Sequence, residues 1–65
     1  MDRYAYRLGR KFAIYLNEHP EARGKFTLYF GVLDSDYFDL SDRYGEVTND
    51  MIMAYQKGYN SVIAP

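Results

Sequence analysis

The residues best equipped for chemistry are four aspartates, Asp34, Asp36, Asp39 and Asp42, set among Tyr37, Phe38 and Leu40 in the stretch "DSDYFDLSD". Closely spaced carboxylates suit a metal loop, acid/base work, or an acidic surface that meets a basic partner. A calcium loop of the EF-hand type wants acidic or Asn ligands at positions 1, 3 and 5, Gly at 6 and Glu at 12. Counted from Asp34, those later positions hold Phe38, Asp39 and Gly45. The ligand pattern fails, so no metal is expected. The bland alternative is a turn followed by a polar strand face.

Catalytic equipment is thin. His19 is the only histidine, there is no cysteine, and Ser35, Ser41 and Ser61 lack a nucleophile-elbow signature. A chain of 65 residues has little room for a deep substrate pocket. The expectation is a non-enzymatic protein without cofactors.

A second cluster is basic. Arg3, Arg7, Arg10 and Lys11 recur at i, i+4, i+7 and i+8, one helical face, with Tyr6 at its edge and Ile14 inside it. Such a stripe is the electrostatic footprint of phosphate contact, and Tyr6 could stack on a base. Against that stands the pI of about 5.6. The acidic and basic groups are segregated. Residues 1–25 carry six basic and three acidic groups, whereas residues 26–65 carry two basic and six acidic ones. Nucleic-acid binding through Arg3, Arg7, Arg10 and Lys11 is therefore the alternative reading rather than the leading one.

The leading reading is protein binding. Eight tyrosines and four phenylalanines exceed what a small core hides, and tyrosine is favoured where partners touch because it joins large area to a hydrogen-bonding tip. Tyr6, Tyr29, Tyr37 and Tyr44 are the candidates for exposure. The expected contact surface is Asp34, Asp36, Tyr37, Asp39, Asp42 and Tyr44, with the acids steering and the tyrosines anchoring. Aspartates spaced along an edge can also imitate a phosphate row and occupy the basic groove of a nucleic-acid-processing enzyme. In size, in lack of catalytic residues and in tyrosine content, the chain resembles small phage- or plasmid-encoded proteins that bind and block host enzymes. A homodimer, or a homo-oligomeric structural subunit, is the third reading.

These residues need elements to position them. Residues 2–18 read as a helix, with Asp2 as N-cap and Tyr4, Ala5, Leu8, Phe12, Tyr15 and Leu16 on one face. Pro20 disfavours helical geometry at His19 and should end it. Phe26, Leu28, Phe30 and Val32 alternate through residues 25–33, the clearest strand. "DSD" then supplies turn chemistry, and residues 37–41 are expected to form a second, antiparallel strand. A last helix starts near Thr48 or Asn49 and runs to about residue 63. A competing parse starts it at Ser41, which Gly45 disfavours. Gly58 would let another element approach closely. Met53, Gln56 and Lys57 should be plain surface.

The expected architecture is a single α+β domain over residues 1–65: α-β-β-α, an antiparallel hairpin packed by two helices. So small a domain is marginal alone, and a two-stranded sheet leaves an open edge. The absence of cysteine fits a reducing, cytoplasmic setting. No apolar run is long enough for a signal peptide or membrane span, and the initial Met suggests a complete small gene product.

Overall fold

The computed structural model describes residues 1–64. Helix α1, Arg3–Glu18, begins where the Asp2 carboxylate accepts the Ala5 N–H at 2.8 Å. It ends at His19, whose N–H donates to the Tyr15 carbonyl at 2.8 Å. Pro20 stands directly after and starts a single 3-10 turn, Pro20–Ala22. Its missing N–H and its restriction of His19 are the physical stop.

The hairpin is tighter than the alternation of residues 25–33 suggests. Strand β1, Leu28–Tyr29, turns at Phe30 and Gly31 into β2, Val32–Leu33. The strands are antiparallel, with Leu28 opposite Leu33 and Tyr29 opposite Val32. A further bond, from the Asp34 N–H to the Thr27 carbonyl at 3.0 Å, closes the ladder. Phe30 and Gly31 have φ of 54° and 80°. Positive φ at both central residues is the I′ type, whose twist matches paired strands. The run that reads as one strand is thus both strands.

Residues 37–41 are not the second strand expected. They lie inside helix α2, Asp34–Tyr44. The helix has its own logic. Asp34 and Asp36 occupy its first turn and Arg43 its last, each sign matched to the macrodipole. Gly45 closes it in the left-handed region with φ of 82° and an N–H to the Ser41 carbonyl. Tyr37, Leu40, Ser41 and Tyr44 follow the helical period, which the shorter "YFDLS" cannot separate from a strand. Gly45 also excludes the parse that ran one helix from Ser41 onward.

Helix α3, Asn49–Asn60, starts at the expected N-cap, with the Thr48 hydroxyl accepting the Met51 N–H at 3.3 Å. It ends earlier than expected: Val62 and Ile63 donate to the Tyr59 carbonyl in a closing turn. The fold is thus a small α+β domain of order α-β-β-α with a third helix, α2, inserted between the hairpin and α3.

Helices α1 and α3 meet backbone to backbone. A Cβ on Gly58 would lie 1.9 Å from the Tyr6 carbonyl oxygen, and one on Gly9 2.0 Å from that of Tyr55. Ala5 and Ala13 on α1 and Ala54 on α3 are buried at four-residue spacing from these glycines, so each helix carries a row of small buried residues through its close approach. Around this seam the core collects Phe12, Leu16, Ala22, Val32, Leu40 and Tyr55. The hairpin packs on α2 and α3.

Candidate protein-binding surface

The helical geometry of α2 divides the four aspartates. At about 100° per residue they fan over roughly 200° of the helix, and of the four only Asp36 and Asp39 bond side chains of other elements. Asp36 is half-buried and accepts the Tyr55 hydroxyl at 2.6 Å. That hydroxyl also accepts the Leu33 N–H at 3.4 Å, so one tyrosine ties α3, β2 and α2. Burial pushes the Asp36 carboxyl above the usual range, partly opposed by the Tyr55 bond. Burial and the same carboxylate push the Tyr55 phenol far up.

Asp39 accepts the Tyr4 hydroxyl at 2.6 Å, joining α2 to α1. The Arg43 guanidinium lies 4.1 Å from the centre of the Tyr4 ring, a cation–π contact, and 5.8 Å from that of Tyr44. Asp34 accepts the Ser35 N–H at 2.7 Å in the first turn of α2, and Asp42 is exposed. Of the acids expected to meet a partner, Asp36 and Asp39 therefore already hold tyrosines of this chain. Among the described residues no three His, Asp or Glu side chains converge as a metal site.

Among the described residues no ion pair joins the basic stripe to these acids. Arg3, Arg7, Arg10 and Lys11 are exposed. The one contact between a basic and an acidic side chain within 4 Å among the described residues is on the surface, His19 Nδ1 to the Glu21 carboxylate at 3.3 Å. His19 also stacks against Tyr15, ring centres 4.5 Å apart.

What the fold brings together is aromatic. The hairpin folds back onto α2 and sets Tyr29 5.5 Å from Tyr37 and 6.0 Å from Phe38, ring centre to ring centre. Phe30 stands 6.4 Å from Tyr37. Phe30 is 73% exposed, Phe38 58% and Leu28 48%. Isolated exposed apolar residues are ordinary, but a contiguous group of large rings is not. Tyr37, expected at the contact surface, sits at the middle of this group, half-buried. Tyr44 is exposed at the far end of α2.

Phe30 is the least expected member. It is the only non-glycine residue with positive φ among the described residues. Asn, Asp or Gly usually fills that place in a I′ turn. The Gln56 side-chain amide donates to the Phe30 carbonyl at 3.2 Å, so α3 holds the turn in shape. Gln56 was expected to be plain surface. "FG" inside an alternating apolar run was the available signal for the turn. Nothing in the sequence signals the Gln56 bond, which spans 26 residues.

No helix among the described residues is long and apolar enough to cross a membrane. No protein-family model, curated protein or solved structure matches this chain.

Proposed function

We propose that the protein is a non-catalytic protein-binding module that acts by stoichiometric association, as an inhibitor or modulator of a larger protein in the cytoplasm. The observation that carries this reading is Phe30. A large aromatic side chain occupies a turn position that costs it backbone energy, stands mostly in water, and continues a patch formed with Tyr29, Tyr37 and Phe38. Strain kept at an exposed apolar tip points to use of that tip. Flat, rigid rings give contact area at low entropy cost, as interface anchors do. Asp34 and Asp42, on the same helix as Tyr37 and Phe38, supply negative charge near the patch. The complementary surface is an apolar cleft bordered by Lys and Arg, which a nucleic-acid-processing enzyme would offer.

The test is affinity capture from host lysate with three baits: the natural chain, Phe30→Asn and Phe38→Ser. The natural chain should retain one partner that both variants lose while keeping their far-ultraviolet circular dichroism. Equal capture by all three baits would sink the assignment. Doubling of the chain through the same rings is the competing use of the patch. Sedimentation at high concentration separates the two, since a monomer leaves the patch free for another protein.

A further inference from the structure

We propose that the outward face of α1 is a second site, independent of the aromatic patch, that takes the phosphodiester backbone of single-stranded nucleic acid. Arg3, Arg7 and Arg10 are exposed, and with Met1 and Tyr6 they line one shallow groove. This face is opposite the one that buries Ala5, Gly9, Phe12, Ala13 and Leu16. The three guanidinium groups are spread over about 10 Å of helix length. Each is a planar fork suited to two phosphate oxygens, a geometry lysine lacks.

Two observations make the stripe more than a solvated face. First, among the described residues its charge is not neutralised from within: there none of the three arginines forms an ion pair, and Arg10 reaches the Ser61 hydroxyl at 3.4 Å. The nearby acids have other work. Asp2 caps α1, while Asp36 and Asp39 hold tyrosine hydroxyls. Second, Tyr6 lines the same groove and is only half-buried, which leaves ring surface for a base. Ile14, partly exposed at the far end of the stripe, adds an apolar contact.

Lys11 stands apart. With Asp36 it lines a different depression, away from the groove of the three arginines. An anionic membrane is the poorer occupant, because an interfacial helix must bury an apolar face in lipid. The apolar face of α1 is closed against α3 at the two glycines. A duplex has no use for a stacking ring.

The experiment is fluorescence anisotropy of a labelled short oligothymidylate titrated with the full chain across a salt series. Three phosphate contacts give a slope of log affinity against log salt near −2 for a single strand. Arg3→Gln, Arg7→Gln and Arg10→Gln combined should abolish binding with the melting curve unchanged. Tyr6→Leu should weaken binding about tenfold and keep the slope. The proposal is overturned by no binding at low salt or by binding that survives the triple substitution. It is equally overturned if a duplex, or vesicles rich in phosphatidylserine, bind as well as the oligonucleotide.

Discussion

Replacing Phe30 by asparagine should leave the protein as stable as before, or slightly more so, while replacing it by alanine should weaken it. The backbone at Phe30 has φ of 54°. A left-handed conformation costs an ordinary L-residue about 1–2 kcal/mol, and asparagine escapes most of that through its short, locally bonding side chain. Against this gain stands the burial lost with the ring. The residue is 73% exposed. Roughly a quarter of some 200 Å² is thus covered, worth about 1 kcal/mol at ~25 cal/mol/Å². The two effects nearly cancel for Phe30→Asn, leaving a difference of about 0.3 kcal/mol or less at the centre of the range. Phe30→Ala loses the burial and keeps the strain, so it should fall about 1 kcal/mol below the natural chain. In a domain of this size, 1 kcal/mol moves the midpoint about 4–8 °C. Thermal and urea melts of the three proteins read the order directly. Equal stability of the Asn and Ala variants would refute the left-handed turn. An Asn variant well below the natural chain would show that the ring is packed rather than presented, which removes the observation on which the proposed function rests.

Gly58→Ala should be severe, about 3 kcal/mol or more, because a methyl group would meet the Tyr6 backbone rather than a side chain that can swing aside. Loss of a cooperative urea transition is the expected readout. Tyr55→Phe removes the donor to Asp36 and the acceptor of the Leu33 N–H, for about 2 kcal/mol at neutral pH by equilibrium unfolding. Above pH ~10 the unfolded chain ionises this tyrosine while the folded chain, with its phenol raised, keeps the proton. The natural protein should therefore lose about 1.4 kcal/mol per pH unit from Tyr55 alone, a slope that Tyr55→Phe lacks in melts over the alkaline range. Asp2→Ala should cost about 1 kcal/mol through loss of the α1 cap. The Ala5 N–H holds the Asp2 carboxyl below its usual range. Its share of stability is present above the ordinary carboxylate pKa, ~3.9, and is lost as pH falls through the lowered folded value. Acid melts of the two proteins should converge at low pH.

Much of this fold is local and was legible without coordinates. The start and stop of α1 follow from Asp2 and Pro20, and the start of α3 from Thr48, because caps and prolines act within one turn of the chain. The close approach at Gly58 was also suggested by its place on an apolar face. The mistaken strand at residues 37–41 arose where two periods fit equally. Five residues with three apolar ones cannot separate a helix from a strand. The acids at the head of α2 and Gly45 at its tail held the answer once read together.

The sequence alone determined the element types at both ends of the chain, the aromatic excess and the separation of basic from acidic groups. These are properties of composition and of spacing within a few residues. Only the tertiary structure decided which aspartates face inward. That depends on Tyr4 and Tyr55, which lie 35 and 19 residues away from Asp39 and Asp36. It also decided that the rings of the hairpin and α2 form one exposed patch. Their meeting requires the chain to reverse at Phe30 and Gly31, and Gln56 of a distant helix holds that reversal.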